Sequence, residues 1–341
     1  MHIIVDGFGG DNAPLAVLEG VTKAAADFDV EITVTGSEQK LRACAAENGI
    51  SLDGIRIQDA PSVITNNDSP TEILKSLSDS SMAVGMKMLA AGEGDAFLSA
   101  GSTGALVVGA SMIVKRIKGV KRAPLGMIVP NRESCSLLLD VGANAECRPE
   151  FLVQFAHMGA FYMKAVMGLE NPRVGLLNIG AEEKKGTELQ VETFRQLRGS
   201  SLNFIGNVEG RDVPLGAADV VVSDGFTGNV MLKTMEGMGS FFNSFLKKMF
   251  LRSPKTKIGA LLVKKDLSAL KKKFDYSEYG GAPLLGISRP VVKAHGSSNG
   301  TAFYNAVRQA KLMVENDMVG MISDYVKQSS VKTEGEVYAG N

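Results

Sequence analysis

The sequence has no tryptophan, only three cysteines and three histidines, and no surplus of either charge. Over 341 residues, 37 Lys and Arg balance 37 Asp and Glu. Each shortage excludes something. Cys44, Cys135 and Cys147 include no C-x-x-C pair and cannot build a disulfide framework, so a reducing cytoplasm is the expected compartment. His2, His157 and His295 belong to no H-E-x-x-H or His/Cys cluster, so no metal is expected. No run approaches the ~18 apolar residues of a membrane span. The opening MHIIVDGFGGD lacks the basic-then-apolar order of an export signal. Neither a P-loop nor a complete G-x-G-x-x-G fingerprint occurs, which argues against a nicotinamide-dependent dehydrogenase. The zero net charge, taken as a sum, argues against nucleic acid or an anionic surface as partner.

What is present reads as an α/β protein. Hydrophobic content of 45% with 22% charged residues excludes wholesale disorder. Strands are expected at Ile3–Val5, Glu31–Thr35, Ala96–Leu98, Met127–Val129, Leu137–Leu139, Val174–Leu177, Phe204–Ile205 and Val220–Val222. Several are unbroken apolar runs, as in strands buried on both faces. Helical patterns at Ala13–Phe28, Ser80–Ala91 and Glu150–Met167 lie between them, giving the βαβα rhythm of a mostly parallel sheet. No repeat or linker interrupts residues 1–330, which read as one domain, and 331–341 reads as a flexible polar tail.

Five glycine-rich polar turns follow strands: Asp6–Asp11, Ser99–Gly104, Asp140–Asn144, Asn178–Gly180 and Asp224–Asn229. Ligands of open α/β sheets bind beyond the carboxyl ends of strands, so the recurrence points to one shared site. Each turn taken singly also reads as glycine ending a strand. The turn Gly101–Gly104 precedes a helix, where free N–H groups beside Ser102 and Thr103 suit an oxyanion; ordinary N-capping is the competing reading. His157 reads as a core or interface residue, whereas His295, in a polar turn, is the better site candidate. Gly296–Gly300 matches G-x-S-x-G, but no histidine follows Ser298, so it reads as a turn.

The motifs, taken together, resemble the bacterial phosphate acyltransferases of fatty acid and phospholipid synthesis (the PlsX family). The resemblance rests on Asp6–Pro14, Ser99–Ala105, Leu138–Glu150, Val174–Gly186, Phe204–Asp212, Asp219–Leu232 and Lys293–Asn299, in family order over nearly the whole chain. Gly7-Phe8 stands where the family has Ala-Met, and Ser102 where it has Asn. The resemblance implies a three-layer α/β/α sandwich with a mostly parallel central sheet, like the isocitrate and isopropylmalate dehydrogenases and the phosphotransacetylases. It implies transfer of a long-chain acyl group from acyl carrier protein to inorganic phosphate, without a cofactor, by a homodimer. The acyl phosphate formed would serve phospholipid synthesis through a downstream glycerol-3-phosphate acyltransferase. Lys185 and Asn229 carry over as catalytic residues, Lys184 being a less secure neighbour. Asp6, Gly9, Gly10, Asn12, Gly101, Ser102, Thr103, Gly104, Asn144, Asp224 and His295 are the expected substrate- and phosphate-binding residues. A coenzyme A-dependent short-chain phosphotransacetylase and a membrane-surface scaffold are the alternative readings.

The balanced charge conceals a strong local excess. Residues 246–274 hold ten Lys and Arg against Asp266 alone, a balance of +9. Ala260, Val263, Leu267, Leu270 and Phe274 share one helical face, and Met231, Met235, Met238, Phe242, Phe245 and Met249 form another stripe upstream. Pro254 divides the two into a protruding hairpin over about residues 229–274, expected to serve dimer and membrane contact. Such a basic amphipathic hairpin suits the anionic inner face of a cell membrane, or an acidic partner. Ile258, Leu261, Leu262, Lys264 and Lys265 are its expected membrane contacts. A dimer-packing hairpin with a solvated lysine face is the competing reading.

Overall fold

The structure, a computed structural model, describes the backbone of residues 1–273 and 276–339 and the side chains of 1–268 and 277–329. The first third alternates β1 (His2–Asp6), α1 (Leu15–Phe28), β2 (Glu31–Thr35), α2 (Glu38–Glu47), β3 (Ile55–Gln58), α3 (Ser81–Ala91), β4 (Ala96–Ser99) and α4 (Thr103–Gly109). A π-helical turn, Ala110–Lys115, extends α4. The chain continues as β5 (Gly126–Pro130), β6 (Cys135–Leu139), α5 (Pro149–Ala165), β7 (Val174–Asn178), α6 (Glu188–Arg198), β8 (Phe204–Glu209) and β9 (Val220–Val222). Three helices follow, α7 (Gly225–Leu251), α8 (Pro254–Leu262) and α9 (Lys264–Lys273). The chain then returns through β10 (Ala282–Leu284), β11 (Val291–Lys293), α10 (Gly300–Glu315) and α11 (Met318–Ala339).

The α/β class and the flanking helices are those expected, but the single central sheet divides into two. One has six strands in the order β10-β11-β4-β1-β2-β3, and the other five in the order β5-β6-β9-β7-β8. Pairing is parallel except for β10 with β11 and β5 with β6. These two antiparallel edges meet through an isolated bridge between Leu125 and Leu284, so the sheets join at a seam. Each sheet has strands whose chain order reverses beside a neighbour: β1 lies between β4 and β2, and β9 between β6 and β7. Clefts form at such reversals because successive crossovers leave in opposite directions. All eight expected strands are present; β3, β10 and β11 are additional.

The core follows from the apolar runs. β4, β6 and β9 are buried at every residue, which requires cover on both faces. On α5, Tyr162 is fully buried and its hydroxyl accepts a hydrogen bond from Gln309 Nε2 at 2.6 Å, which offsets the cost of taking a phenol from water. His157, also on α5, is buried as expected and stacks on Tyr325 of α11 with ring centroids 4.0 Å apart.

Burial pulls the His157 imidazole down from its ordinary 6.5 to about 4. Between those values the unfolded chain binds a proton that the folded chain refuses, so stability falls as pH drops from 6.5 towards 4. The loss attributable to this residue is on the order of 3 kcal/mol at the acid end. Denaturant melts across this window should show a flatter acid slope for His157→Phe than for wild type. Parallel slopes would remove His157 as a source of acid sensitivity.

Helices form over the segment expected to make the hairpin, with one extra break. Ser253 caps α8 in a reciprocal box with Thr256 and Pro254 takes the first helical position, so α7 ends where expected. The second helix is itself divided at Val263 into α8 and α9. Beyond Met235 the apolar stripe is left uncovered, with Met238, Phe241, Phe242, Phe245 and Met249 all exposed. Leu261 and Leu262 are 69% and 82% exposed. Phe274 lies outside the described residues, as do the side chains of Leu270 and Lys271–Lys273. The tail expected from residue 331 continues α11 as backbone helix to Ala339, and 340–341 lie outside the described residues. Among the described residues no helix is long and apolar enough to cross a membrane.

Candidate active site

Four of the five glycine-rich turns close round the seam between the sheets. After β1 the chain bends back as Gly7–Asn12 against the turn after β4. A Cβ on Gly9 would stand 2.6 Å from the Gly101 nitrogen, so the approach requires glycine. Asp6 fastens the two turns from beneath. It is 2% exposed, and its carboxylate accepts from Ser99 Oγ at 2.6 Å and from the Phe8 N–H at 3.1 Å. Burial pushes the Asp6 carboxyl up, while bonds from Ser81 and Ser99 pull it back. The Gly101 N–H is spent on Ser99 Oγ at 3.0 Å. On the other side, the Asp11 N–H donates to the Gly296 carbonyl at 2.8 Å, and Asn12 Nδ2 donates to the Ser297 and Ser298 carbonyls at 3.2 Å. Asp6, Gly9, Gly10 and Asn12 therefore join the loops that frame the site. Ser102 stands at the N-cap position of α4 with no capping bond, and Thr103 and Gly104 face the cavity.

The second sheet supplies a parallel arrangement. Asp140, fully buried, accepts from the N–H groups of Leu125, Gly142, Ala143 and Asn144 and from Asn144 Nδ2, at 2.7 to 3.1 Å. One carboxylate thus fixes the loop after β6 and joins it to the start of β5. Burial pushes this carboxyl up too, against those bonds. The Asn144 carbonyl accepts from the Gly225 N–H at 2.8 Å, drawing in α7. Asp224 caps α7, its two oxygens accepting from the Thr227 N–H and Oγ1 at 2.8 Å each. A Cβ on Gly228 would fall 1.9 Å from the Asp140 carbonyl oxygen, so α7 reaches this depth only with glycine there. The next residue, Asn229, faces Gly142, whose ideal Cβ position is 3.5 Å from Asn229 Nδ2.

Between these loops lies a cavity of about 440 Å³. Its lining divides by chemistry: Val107, Val108, Met127 and Leu232 are apolar, while Thr103, Asn229, Lys293 and His295 are polar. His295 Nδ1 lies 2.9 Å from Ser297 Oγ and accepts from the Ser297 N–H at 3.2 Å. Nδ1 is therefore an acceptor, and the neutral ring carries its proton on Nε2. Burial lowers the affinity of this imidazole for a second proton, with Glu236 acting in the opposite sense. Lys293 is buried with Nζ donating to the Ala100 carbonyl at 3.1 Å and to the Ala294 carbonyl. Burial pulls its ammonium down to about 8 against the attraction of Asp6 and Asp11, so it is still largely charged at neutral pH.

Lys185 is placed elsewhere. It sits in the turn between β7 and α6, where its N–H donates to the Glu182 carbonyl at 3.1 Å and its carbonyl accepts from Asn178 Nδ2 at 3.0 Å. Its side chain is 50% exposed, with Nζ 4.0 Å from Glu182. Because β6, β9 and β7 run parallel, this turn lies at the same sheet edge as the Asp140 and Asp224 turns. Neither Lys185 nor Lys184 lines the cavity. Asp140 and Lys293 lie inside the motifs quoted above yet were not singled out as site residues. The signal available was a charged side chain directly ending or following a buried apolar run.

One minor reading is decided by geometry. Asn299 caps α10 through the Ala302 N–H at 2.9 Å, so the Gly296–Gly300 string is a helix-opening turn. Burial, with Asp140 and Asp224 nearby, drives the Cys147 thiol up to about 12, which keeps it protonated at neutral pH. Among the described residues no three His, Cys, Asp or Glu side chains are grouped to hold a metal ion.

The chain is similar in sequence and in fold to known proteins. Residues 1–321 match the model of a family described as fatty acid synthesis protein. The phosphate acyltransferase of Thermoanaerobacterium thermosaccharolyticum is 48% identical over 322 residues, covering 94% of this chain and 96% of that one. That of Bacillus licheniformis is 47% identical over 332 residues, covering 97% and 99%. Among solved structures, a phosphotransacetylase from Streptococcus pyogenes superposes with a TM-score of 0.59 at 17% identity, covering 92% of this chain and 94% of that one. The EutD phosphotransacetylase from Staphylococcus aureus gives 0.57 at 16% identity, with the same coverage. These two show a shared fold alone. The sequence relatives define the class: this chain is an acyltransferase. It belongs to the phosphate acyltransferase family.

Proposed function

We propose that this enzyme moves a long-chain acyl group from the thioester of an acyl carrier protein to inorganic phosphate, releasing acyl phosphate and the carrier thiol. The observation that carries this reading is the divided lining of the cavity. Val107, Val108, Met127 and Leu232 suit an aliphatic chain, and Asn229, Thr103, His295 and Lys293 bring polar and cationic groups to the same cavity.

A phosphate oxygen attacks the thioester carbonyl carbon, a tetrahedral oxyanion forms, and the C–S bond breaks as the thiolate leaves and takes up a proton. Phosphate is already anionic and nucleophilic, so positioning is the first requirement. Donors aimed at the developing oxyanion are the second. The Asn229 amide donates to that oxyanion, and His295, protonated on Nε2, is a second neutral donor. Lys185 holds phosphate as a point charge at the sheet edge, and Lys293 contributes positive charge from within. Lys185→Ala should raise the KM for phosphate about tenfold or more, the worth of one charge-assisted hydrogen bond. An unchanged KM and kcat would remove Lys185 from the site.

The hairpin supports a second part of the reading. Its exposed apolar stripe on α7 suits a second copy of the chain, giving a homodimer. The tip at Ile258, Leu261 and Leu262, with Lys264 and Lys265 beside it, suits the anionic inner face of the cell membrane. There the product would meet a downstream glycerol-3-phosphate acyltransferase. Leu261→Glu combined with Leu262→Glu should abolish pelleting with anionic liposomes while leaving turnover intact. Equal pelleting of variant and wild type would contradict the membrane contact.

The likeness in fold to phosphotransacetylases favours one alternative, a short-chain enzyme using coenzyme A. Long-chain acyl carrier protein and acetyl-coenzyme A, each offered with phosphate, separate the two. Turnover of the carrier thioester is expected, and turnover of acetyl-coenzyme A alone would select the alternative.

A further inference from the structure

Between two residues of the cavity wall, Val108 and Leu125, the chain makes a surface loop carrying Lys115, Arg116, Lys118, Lys121 and Arg122, all exposed. No Asp or Glu occurs from residue 96 to residue 132. Among the described residues none of these five cations forms an ion pair, whereas Arg42, Arg56, Lys164, Arg195 and Arg198 each pair with a carboxylate. Five like charges within eight residues repel one another.

The loop is also held in one shape. The Ile117 N–H donates to the Gly286 carbonyl and the Ser288 N–H to the Lys115 carbonyl, both at 2.9 Å. Gln154 clasps the far side, accepting from the Lys121 N–H at 3.0 Å and donating to the Gly119 carbonyl at 3.2 Å. Ile117 and Val120 point inward, 7% and 6% exposed, and anchor the loop to the core. Arg122 lies over the Phe151 ring, 5.8 Å from its centroid. Beside the cations, in the π-helical turn that follows α4, Met112 is 62% exposed. The result is a rigid basic surface with one flexible apolar side chain among the charges.

We infer that this loop is the docking surface for the protein carrying the acyl group, whose facing surface would be acidic, an assignment that rests on the carrier-borne donor proposed above. Charge complementarity steers such a partner to the loop and sets its orientation. Met112 offers the apolar contact that a charged rim surrounds in protein interfaces. A bilayer is the poorer occupant. The hairpin tip combines cations with three exposed aliphatic side chains able to enter lipid, whereas the aliphatic residues of this loop are turned into the core. Both ends of the segment, Val108 and Leu125, belong to the cavity wall, so the chain on either side ties this surface to the site.

The test combines Arg116→Glu, Lys118→Glu and Lys121→Glu in the full-length enzyme. Kinetics are measured with a long-chain acyl carrier protein and with the same acyl group on N-acetylcysteamine, an uncharged small thiol. The KM for the carrier thioester should rise about tenfold or more and lose its dependence on salt, with constants for the small thioester unchanged. The corresponding Gln variant should show a smaller rise in the same direction at wild-type Tm. A wild-type KM for the carrier, or an equal loss with both donors, overturns the assignment. Lost liposome binding with the carrier KM intact would overturn it in favour of a lipid surface. If wild-type enzyme ignores the carrier thioester altogether, the proposed function fails and the docking surface with it. If wild type turns it over and the variant is unaltered, only the docking surface fails.

Discussion

Asn229→Ala should lower kcat for acyl phosphate formation by about 10²–10³-fold, the usual consequence of removing one donor from an oxyanion site. Asn229 is exposed on α7, packs against Gly142 in the cavity wall and, among the described residues, makes no side-chain hydrogen bond that holds the fold together. Its Tm should therefore shift by no more than about 2 °C. The two readouts together carry the test. A fall in kcat at constant Tm, with the KM for either substrate changed less than kcat, locates the interaction in the transition state. A loss confined to KM would make Asn229 a binding residue, and full activity would remove it from the mechanism. Asn229→Asp should be as impaired, because an acceptor replaces the donor and its charge opposes the oxyanion.

Asp140→Ala should be strongly destabilising. Four backbone N–H groups and the Asn144 amide converge on this one buried carboxylate. Each buried donor left without a partner costs about 1–3 kcal/mol, so a loss on the order of 4 kcal/mol or more is expected. Activity should fall as well, since the same bonds place Gly142 opposite Asn229 and hold the loop against α7. Asp140→Asn keeps an acceptor on one side but turns an NH₂ group towards the N–H donors on the other, so its cost should be intermediate. Urea melts of the three proteins decide the matter. Equal midpoints would mean that the loop holds its shape without the carboxylate.

The sequence showed the fold best where burial is complete. β1, β4, β6, β7 and β9 are short, largely apolar strands followed within three residues by glycine, and each formed where expected. β3 is a four-residue edge strand exposing alternate residues, and β10 and β11 have three residues each, with Pro283 inside β10. Such pieces carry too little periodicity to be seen without their neighbours. The seam depends on Leu125 meeting Leu284, a pairing that no local pattern encodes.

The site was legible in the same uneven way. Glycine-rich turns after strands foretold the convergence of the loops following β1, β4, β6 and β9. They did not show which side chains face the cavity. Asp6 and Asp224 look like ligands in a motif, yet one ties loops together and the other caps a helix. Lys185 carries a role by resemblance while standing outside the cavity lining. Balanced charge hid two basic surfaces of different kinds. The hairpin pairs its cations with exposed apolar residues, and the loop at 115–122 packs its apolar residues inward.

The most direct measurement is a single turnover of enzyme, long-chain acyl carrier protein and ³²P-labelled phosphate. One label should enter a hydroxylamine-sensitive acyl phosphate for every thioester consumed, with the yield per unit time falling about 10²–10³-fold in Asn229→Ala. Thioester loss that yields free fatty acid and leaves all label in inorganic phosphate would contradict acyl transfer to phosphate.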